Sequence, residues 1–434
     1  MKRVLIITYY WPPSGGSGVQ RWLKMSKYLP ENGWQPVIYT AEDAEYPVED
    51  PSLEQDVAPE AEVIRRPIVE PYTFYKKFLG MKNGDKVKAG FINEGAKKSS
   101  WKENLSVWLR GNMFIPDARC WWIKPSVRYL SKYLKEHPVD AIISTGPPHS
   151  MHLIAKALHK KFNIPWVADF RDPWTEVFYF DSLKLTKCSV KKHKKLENQV
   201  LTEADKVVAV SWHEAADFEA LGAKNVDVIT NGYDEECVAD KVQVVDNEHF
   251  TVSYTGVLLP NGSFVIWDAF KELCDENTDF ANALQINLIG HIDASVKDYI
   301  AEKGLESKVE NIEYMPHSQV LDYQRQSNML LLLIPRAMKA ECILTGKLFE
   351  YLVSGRPVLA VGPAEGDAAK VLADTRCGIT ADYDDKEKMK ATILEYFNKR
   401  NDNQAVERNI EEVAKYSRKN LTKEFVKVLN DITR

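Results

Sequence analysis

The 434-residue sequence predicts an α/β protein of two domains, each built around a doubly wound parallel sheet. Three observations support this prediction. Hydrophobic residues make up 44% of the chain and charged residues 27%, which is typical of a folded globular protein. Short apolar runs rich in β-branched residues alternate with helical patterns along the whole chain. The length corresponds to two or three domains of ordinary size.

The first half of the chain begins with a strand at residues 3–8, a glycine-rich loop, a helix at 19–31 and a strand at 36–40. A less regular stretch follows, and then the alternation resumes. We expect the later strands of this half at residues 141–145, 166–170 and 206–210. Between them we expect a helix at 151–161 and a basic helix that ends at about residue 202. Five strands joined by helices predict a parallel sheet in a first domain over residues 1–234.

A polar segment at residues 234–248 separates this half from a second pattern of the same kind. We expect its strands at 250–255, 284–289, 311–314, 329–334 and 357–361, and its helices at 264–274, 294–303, 319–326, 345–354, 367–373 and 386–399. This pattern predicts a second Rossmann-like domain over residues 235–404. An amphipathic stretch at 405–432 predicts one or two helices that pack across the domain boundary, back onto the first domain.

Several classes of protein are excluded by simple features. No apolar run approaches the roughly 20 residues that a membrane-spanning helix needs. The first residues do not resemble a secretory signal, so we expect a cytoplasmic protein. Six cysteines occur without a C-x-x-C pair, which favours reduced thiols over a disulfide framework or a zinc site. No metal site is expected.

Charge is distributed unevenly along the chain. The net charge is -5, but residues 65–135 carry 16 basic and 5 acidic side chains, and residues 184–195 carry six lysines and no acid. Four tryptophans, at positions 101, 108, 121 and 122, lie within the basic stretch 72–124. These features predict peripheral contact with an anionic membrane surface. The alternatives are a solvated lysine-rich face and tryptophans that fill the core.

The loop after the first strand contains Gly15, Gly16, Ser17 and Gly18. Glycines at this point let backbone N–H groups approach an anion, and the N-terminus of the following helix adds partial positive charge. The loop therefore predicts a phosphate contact, although it lacks the G-x-G-x-x-G spacing of a dinucleotide site. A tight strand-to-helix turn is the alternative.

Two further loops follow predicted parallel strands, where ligands bind in open α/β sheets. The first contains His149, and the second contains Asp169, Arg171 and Asp172. A carboxylate and a guanidinium on one sharp turn can act on the same substrate, so His149, Arg171 and Asp172 are candidate catalytic residues. Ion pairs that stabilise the loop, and a histidine satisfied by its own loop, are the alternatives.

The most informative stretch of the second half surrounds Lys347. This lysine falls in the first turn of a predicted helix, where the helix dipole disfavours a cation unless an anion lies between them. Glu350, three residues further, lies on the same face and can accept hydrogen bonds from ribose hydroxyls. The pair predicts a nucleoside diphosphate site, with a simple Lys347–Glu350 ion pair as the alternative. Neighbouring candidates for binding this donor are Thr345, Gly346 and Leu348.

In sequence order, five motifs resemble glycosyltransferase family 4. They are Y-W-P-P-S-G-G from residue 10, P-P-H-S from 147, D-F-R-D-P-W from 169, T-N-G-Y-D from 230, and G-K-L-F-E-Y-L-V-S-G-R-P-V-L-A from 346. The sequence is most similar to bacterial enzymes of surface polysaccharide assembly that carry an Arg-Asp-x-Trp loop. The resemblance implies a GT-B fold, in which two Rossmann-like domains face each other across a cleft. It also implies a metal-independent, retaining transfer of a sugar from a nucleoside diphosphate to a glycan or lipid-linked glycan, with no nucleic acid partner.

Some family residues carry over and others do not. Gly15, Gly16 and Ser17 match the glycine loop that approaches the donor phosphates, and Glu350 matches the ribose-binding glutamate of an E-x7-E element. The first glutamate of that element would fall at Cys342, and Glu341 stands one residue earlier. Where the family has an Arg and a Lys, residues 256–262 contain neither, so Gly256, Arg336 and Lys347 are the expected surroundings of the diphosphate. Arg171 stands where a histidine is usual.

Three other readings remain open at this point. A nucleotide-sugar 2-epimerase shares this two-domain form and would need acid and base groups lining the cleft. An NAD oxidoreductase also has doubly wound sheets, but the missing G-x-G-x-x-G loop disfavours it. A nucleotide-sugar-binding protein without activity is the third reading, because the E-x7-E element is incomplete.

Overall fold

The computed structural model describes residues 1–70, 101–177, 180–238, 248–313, 315–400 and 407–434. The chain divides into two compact units. The first comprises Met1–Thr230 and Leu421–Arg434, and the second comprises Asn231–Asn420. The sequence places the division after residue 234 instead, and the predicted helical stretch 405–432 is shared between the units rather than belonging to one.

The sheet of the first unit has seven strands, all parallel, in the order β3-β2-β1-β4-β5-β6-β7. They are β1 (Lys2–Ile7), β2 (Trp34–Glu42), β3 (Glu62–Pro67), β4 (Ala141–Gly146), β5 (Trp166–Phe170), β6 (Lys206–Ala209) and β7 (Val226–Val228). Two of them, β3 and β7, are additional to the five predicted strands. Both are edge strands, which bury less surface and so carry a weaker apolar pattern.

Within residues 1–70, 101–177 and 180–230, six helices accompany these strands. They are α1 (Ser17–Tyr28), α2 (Trp101–Met113), α3 (Ile123–Glu136), α4 (Ser150–Phe162), α5 (Lys187–Glu203) and α6 (Trp212–Ala220). Helices α2 and α3 lie in or beside the stretch that the sequence pattern leaves irregular. Of the predicted membrane-contacting stretch 72–124, residues 72–100 lie outside the described residues. Trp122 fills the core at 2% exposure, whereas Trp108 and Trp121 are exposed.

The sheet of the second unit has six strands, again all parallel, in the order β10-β9-β8-β11-β12-β13. They are β8 (Phe250–Thr255), β9 (Leu284–Ile289), β10 (Val309–Ile312), β11 (Met329–Leu333), β12 (Val358–Val361) and β13 (Gly378–Ala381). The edge strand β13 is the one that the sequence pattern misses.

The helices that complete the second unit surround this sheet. They are α7 (Val265–Glu276), α8 (Thr278–Ala283), α9 (Ala294–Glu302), α10 (His317–Gln326), α11 (Gly346–Ser354), α12 (Asp367–Thr375), α13 (Lys386–Lys399) and α14 (Ile410–Lys415). Helix α11 begins after Thr345 and ends at Gly355, whose φ of 82° is the left-handed conformation that a glycine adopts without strain.

The last helix, α15 (Arg418–Ile432), returns the chain to the first unit. Its Leu421, Phe425 and Leu429 are buried in the same apolar cluster as Trp22 of α1. The rings of Trp22 and Phe425 meet edge to face, 4.9 Å apart. Burying these large side chains, at about 2 kcal/mol each, fixes the C-terminus to the first unit.

Both sheets reverse their strand order next to their first strand, between β1 and β4 in the first unit and between β8 and β11 in the second. In doubly wound sheets, ligands bind beyond the carboxyl ends of the strands at such a reversal. The loops after these four strands are therefore where a site is expected in each unit.

Candidate functional site

Lys347 lies in the first turn of α11 and has an unusual environment. Its ammonium nitrogen is 4.0 Å from the centre of the Tyr254 ring, on β8. Within the described part of the chain, no carboxylate forms an ion pair with it. Burial lowers the pKa of the Lys347 ammonium to about 7, and the opposing charge of Glu350 does not restore it. A cation held in this way, without its own anion, is suited to bind one.

The backbone after β8 makes room for this lysine. Gly256 has a φ of 113°, and a Cβ atom there would come within 3.0 Å of the Lys347 Nζ atom. Gly290, after β9, has a φ of 118°, and its Cβ would stand 2.5 Å from the Gly256 carbonyl oxygen. Any larger residue at these two positions would both strain the backbone and displace its neighbour. The predicted contact of Gly256 with the diphosphate region is therefore placed beside Lys347.

The N-terminus of α11 keeps an unused polar atom. Thr345 is the N-cap residue, yet its hydroxyl makes no capping bond, and its Oγ1 atom is buried without a hydrogen-bond partner. Gly346, the first residue of the helix, is exposed. Leu348 differs from these two, because its side chain is fully buried in the core and its N–H donates to the Thr345 carbonyl at 3.2 Å. Neither the side chain nor the N–H of Leu348 is therefore available to bind a nucleotide-sugar, so this predicted contact is not supported.

Glu350 is held by two side chains of α10. His317 Nε2 hydrogen-bonds to Oε1 at 3.0 Å, and Gln324 Nε2 donates to Oε2 at 3.2 Å. Burial would raise the pKa of the Glu350 carboxyl, but the bond and charge of His317, the bond from Gln324 and the charge of Arg418 outweigh it and lower the pKa. The carboxylate is thus ionised and fixed in orientation. Lys347 and Glu350 do not form an ion pair, because the two Glu350 oxygens bond to His317 and Gln324 instead.

The sequence analysis misses His317, Gln324 and Tyr254. His317 and Gln324 are seven residues apart, which places both on one face of α10, and this spacing is a signal that could have been used. Their partner Glu350 is more than twenty residues away along the chain, so the sequence alone does not connect them. Tyr254 is the last aromatic residue of β8, and the sequence pattern indicates only that it belongs to a strand.

Arg336 and Glu341 follow β11 and lie near a different side chain, Tyr383. The Arg336 guanidinium stands 4.6 Å from the Tyr383 ring centre and forms an ion pair with Asp384. Burial raises the pKa of the Tyr383 hydroxyl to about 12, with Arg336 opposing and Glu341 adding to the shift. The Arg336 N–H also donates to the Asn261 carbonyl at 2.6 Å. Arg336 is therefore already paired, unlike Lys347.

In the first unit, the glycine loop is packed closely against the segment before residue 51. The Gly15 N–H donates to the Val48 carbonyl at 2.9 Å, and a Cβ at Gly15 would stand 3.1 Å from the Asp50 Cβ. Gly16 is the N-cap of α1 with a φ of 77°, and it has no neighbour within 4 Å of a Cβ position. Gly16 and Ser17 are exposed at the start of the helix. Their backbone is accessible to an anion.

Asp169 is the centre of a fully buried network. The Arg21 guanidinium bonds both of its oxygens at 2.8–3.2 Å, and Arg21 is 3% exposed. Trp22 Nε1 and the Thr145 hydroxyl each donate to Oδ2 at 2.8 Å. Burial would raise the pKa of the Asp169 carboxyl, but the charge and bonds of Arg21 outweigh it and lower the pKa. Asp169 therefore joins α1 to β5, and its role is structural.

Arg171 links the loops that the sequence analysis singled out. Its guanidinium donates to the carbonyl oxygens of Gly18, in the glycine loop, and Pro147, in the loop after β4. Its Nε atom is buried without a hydrogen-bond partner. The neighbouring Asp172 is exposed, although desolvation raises the pKa of its carboxyl to about 6 against the opposing charge of Arg171. Arg171 positions this corner of the unit, and Asp172 is the group that a substrate can reach.

His149 stands at the start of α4 with its ring stacked on Trp174, at 4.5 Å and an interplanar angle of 3°. It is 7% exposed, and its Nδ1 atom is buried without a hydrogen-bond partner. Burial lowers the pKa of His149 well below its ordinary value, and nearby His152, His193 and Arg171 act in the same direction. The imidazole is neutral at physiological pH. A charged catalytic acid at this position is therefore disfavoured.

Two features are absent from the described residues. Within residues 1–70, 101–177, 180–238, 248–313, 315–400 and 407–434, no three His, Cys, Asp or Glu side chains come together as a candidate metal site. In the same part of the chain, no helix has the length and apolar character needed to cross a membrane.

Comparisons with known proteins agree with these features. Residues 94–236 match the family model described as Glycosyltransferase Family 4. No curated protein sequence matches the chain. Among solved structures, sucrose-phosphate synthase from Thermosynechococcus elongatus is 12% identical with a TM-score of 0.64, and the match covers 99% of each chain.

Two further structures are similar over their whole length. Anabaena HepE, solved in complex with UDP-glucose, is 14% identical with a TM-score of 0.60, covering 99% of this chain and 100% of that chain. TarM of S. aureus, solved with fondaparinux, α-GlcNAc-glycerol and UDP, is 14% identical with a TM-score of 0.61 and the same coverage. At these identities the similarity establishes the fold.

The motifs between residues 10 and 360 predict this family, and the match over residues 94–236 confirms that resemblance. The Arg-Asp-x-Trp subgroup remains a prediction. Residues 94–236 thus match the model of glycosyltransferase family 4, and the chain as a whole shares its α/β fold with these solved structures.

Proposed function

We propose that this protein transfers a sugar from a nucleoside diphosphate donor to a glycan or lipid-linked glycan acceptor in cell-surface polysaccharide assembly. The observation that carries the proposal is the ammonium group of Lys347. It lies at the N-terminus of α11, has no ion pair within the described residues, and its pKa is lowered to about 7 by burial. A diphosphate supplies the missing negative charge and also favours the helix N-terminus.

The chemistry of glycosyl transfer fits this arrangement. Breaking the bond between sugar and diphosphate leaves additional negative charge on the departing phosphate oxygen. We assign the stabilisation of that charge to the Lys347 ammonium and to the N-terminus of α11. Glu350 already accepts one bond on each oxygen, and a carboxylate has lone pairs for further donors such as the ribose hydroxyls. We assign the diphosphate to Lys347, Thr345 and Gly346, and the ribose to Glu350.

We further propose that the transfer proceeds with retention and without a metal ion. In this mechanism an acceptor hydroxyl attacks the anomeric carbon from the side that the diphosphate leaves, and the departing phosphate oxygen takes the hydroxyl proton. Lys347 supplies positive charge to the leaving group, and no protein nucleophile is required. Asp172 is accessible, so it can orient an acceptor hydroxyl, while Arg171 positions its loop. The lipid-linked class of acceptor would place the enzyme at the cytoplasmic face of the inner membrane.

Direct binding tests the donor assignment. The full-length protein is titrated with UDP-, GDP-, ADP- and CMP-sugars while its thermal unfolding is followed. A ligand at 100 times its Kd stabilises by about 2.7 kcal/mol, which shifts the transition by several degrees. UDP-sugars are the first choice because HepE and TarM were solved with UDP-glucose and UDP. We expect the Lys347→Met variant to lose the shift and the matched surface variant Lys388→Met to keep it.

Turnover separates transfer from the other readings. Release of nucleoside diphosphate that depends on an added glycan or lipid-linked glycan supports the proposal. An epimer formed from the nucleotide-sugar alone identifies an epimerase. Tight binding with no turnover, against a set of acceptors including polyprenyl-linked sugars, identifies a binding protein. If no nucleotide-sugar changes the unfolding of the protein, the donor assignment is wrong.

A further inference from the structure

The two segments that connect the units pair with each other inside the second unit. The chain enters this unit after Thr230, within the T-N-G-Y-D motif, and leaves it after Asn420. The Tyr233 N–H donates to the Tyr416 carbonyl at 3.1 Å, and the Arg418 N–H donates to the Tyr233 carbonyl at 2.8 Å. Backbone hydrogen bonds thus hold the entering and leaving segments together as a short parallel pair.

An ion pair joins the same two segments. Arg418 Nη1 donates to Asp234 Oδ2 at 3.1 Å, and the two side chains are only 16% and 5% exposed. Removing two charges from water costs free energy that their mutual attraction often only balances. An apolar pair would connect the segments equally well, so the stability of the connection does not by itself explain the two charges.

Helices α10 and α11 lie against these segments. The Tyr416 ring contacts the Phe349 ring, in α11, with 5.4 Å between their centres. Cys237, whose short helical turn contacts α11, accepts a hydrogen bond on its carbonyl from Arg325 Nη2, in α10, at 3.2 Å. These two helices carry Glu350 and the side chains that hold it. The ion pair therefore belongs to the surroundings of the candidate donor site.

The charge of Arg418 acts on Glu350. Burial raises the pKa of the Cys237 thiol to about 11, the charge of Glu350 acts in the same direction, and the charge of Arg418 opposes them. The three groups therefore share one neighbourhood. Burial also raises the pKa of the Glu350 carboxyl, but His317, Gln324 and the charge of Arg418 outweigh it and lower that pKa.

The three groups that lower the pKa of Glu350 differ in how constant their effect is. Gln324 carries no charge, and the His317 side chain is 61% exposed. An exposed imidazole carries its second proton for only part of the time near neutral pH. A guanidinium is charged at every physiological pH. Among these three groups, Arg418 is therefore the constant source of positive charge for Glu350.

We propose that Arg418 is a positioning residue of the donor site, whose charge keeps Glu350 ionised when the ribose of the donor covers it. A bound ribose removes the carboxylate from the water that still reaches it, and that loss favours a neutral carboxyl unless a cation opposes it. An ionised carboxylate also accepts the stronger hydrogen bonds from hydroxyls. Asp234, the last residue of the T-N-G-Y-D motif, holds the guanidinium in place. The inference rests on the proposed function, because it takes Glu350 as the residue that binds ribose.

The preference for ribose over deoxyribose tests the proposal. Calorimetry of the full-length protein gives the Kd of UDP, 2′-deoxy-UDP and 3′-deoxy-UDP between about pH 5 and 8. In the unchanged protein we expect UDP to bind about tenfold more tightly than at least one analogue, because that analogue lacks a bond to a charged group. If the unfolding screen selects another base, its diphosphate and deoxy forms take the place of UDP.

The measured quantity is the pH at which this preference disappears, since Glu350 takes up a proton there. Other titratable groups near Glu350 are His317 on α10, Lys347 on α11, and Cys237 and Asp234 on the entering segment. UDP and its analogues share the same phosphates and meet the same Lys347, so the ratio of their Kd values cancels both titrations.

Two variants break the same ion pair and differ only at residue 418. Asp234→Asn keeps the guanidinium, so UDP should keep its advantage down to the same pH or lower. The double variant Asp234→Asn, Arg418→Gln removes both charges of the pair and has the net charge of the unchanged protein. It should lose the advantage at a pH about one unit higher, because the charge that favours the ionised carboxyl is gone. Arg418→Lys keeps that charge and should behave as the unchanged protein does.

A matched control neutralises an exposed ion pair on the same helix. Lys427 Nζ and Glu424 Oε1 of α15 lie 2.7 Å apart, and their side chains are 68% and 55% exposed. The variant Lys427→Gln, Glu424→Gln should leave the preference and its pH dependence unchanged. Thermal unfolding at each pH shows that the compared variants are folded.

Four outcomes contradict the proposal. The first is a double variant that keeps the preference down to the same pH as the unchanged protein. The second is an equal effect of Asp234→Asn and the double variant, since the pair would then act through the fold and not through the charge of Arg418. The third is an Arg418→Lys variant that behaves like the double variant. The fourth is an unchanged protein that binds UDP and both analogues equally at every pH. That result needs no substitution and means that Glu350 does not bind ribose, so the donor assignment itself would fail.

Discussion

Two charged residues that are shielded from water, Asp169 in the first unit and Lys347 in the second, illustrate different uses of such a charge. Asp169 is fully buried, and Lys347 is partly buried. Asp169 receives hydrogen bonds from Arg21, Trp22 and Thr145, and Arg21 itself donates to two backbone carbonyls. Lys347 has the face of the Tyr254 ring as its neighbour and no carboxylate partner within the described residues. Both lie at the ligand-binding edge of a doubly wound sheet.

The difference shows that burial of a charge does not by itself indicate a ligand site. A charge whose partners all come from the protein is already stabilised, and a ligand would have to displace them. A buried charge without a partner costs free energy in the unliganded protein, and that cost is removed when a ligand of opposite charge binds. On this criterion we propose Lys347, and not Asp169, as a binding residue. The predictions below test the two halves of this contrast.

The largest effect is expected for Arg21→Met. The substitution leaves the Asp169 carboxylate buried without its cation, and breaking a buried ion pair in this way costs about 3–5 kcal/mol of unfolding free energy. We expect a large fall in the thermal unfolding temperature. The molecules that remain folded should bind the donor as tightly as the unchanged protein does, because Arg21 has no direct role in donor binding.

The double variant Arg21→Met, Asp169→Leu is the control for this prediction. Removing both charges should recover part of the stability, because no uncompensated buried charge remains. The recovery is incomplete because Trp22 Nε1 and the Thr145 hydroxyl lose their acceptor. The free energy of unfolding of the double variant could instead fall by the sum of the two single-variant losses. That result would mean that Arg21 and Asp169 are not coupled.

The second prediction concerns Lys347→Met. If the ammonium stabilises the departing diphosphate, its loss should lower kcat about 10²- to 10³-fold, corresponding to about 3–4 kcal/mol. Unlike Arg21→Met, this change should leave the protein at least as stable, because it replaces a buried unpaired cation with an apolar side chain. Steady-state kinetics and thermal unfolding on the same sample check both parts. A loss of activity that merely follows a loss of folded protein would contradict the assignment.

The fold could be predicted to different extents in the middle and at the edges of the sheets. Interior strands such as β11 and β12 are continuous apolar runs, and the sequence pattern finds them. The strands it misses, β3, β7 and β13, are all edge strands. Glu62–Pro67, for example, contains two arginines and a glutamate and becomes a strand only by pairing with β2. Edge strands are specified by a neighbour that may be distant in sequence, and local patterning does not contain that information.

The candidate site shows the same limit. Lys347 and Glu350 lie in one helical turn, so their spacing alone places them on one face. The sequence groups Asp169 with Arg171 and Asp172 as a charged set, because its partner Arg21 lies 148 residues away. The environment of Glu350 was likewise hidden, since His317 belongs to another helix. Long-range pairing decides which charged residues are free to bind, and it becomes visible only in three dimensions.

The third prediction is a smaller effect at Glu350. The variant Glu350→Gln keeps the shape of the side chain but removes the charge that strengthens its bonds to ribose hydroxyls, which is worth about 1.5–3 kcal/mol. We expect donor binding to weaken about 10- to 100-fold, measured by calorimetry, with the acceptor KM unchanged. If the acceptor KM rose and donor binding did not change, Glu350 would bind the acceptor and not the ribose of the donor.

The smallest effect is a pH dependence of donor binding. Lys347, with a pKa of about 7 in the free protein, carries its charge below that pH and loses it above. A bound diphosphate favours the charged form and raises the pKa, so the donor binds the protonated lysine more tightly. The Kd for a UDP-sugar, whose own charge is constant in this range, should be flat below pH 7. Above pH 7 it should rise by up to tenfold, about 1.4 kcal/mol, per pH unit until the pKa of the complex is reached.

Calorimetry between about pH 6 and 9 measures the curve, and Lys347→Met should bind weakly and without this dependence. A Kd that stays constant through pH 8 in the unchanged protein would mean that the lysine does not bind the diphosphate, and the contrast with Asp169 would fail.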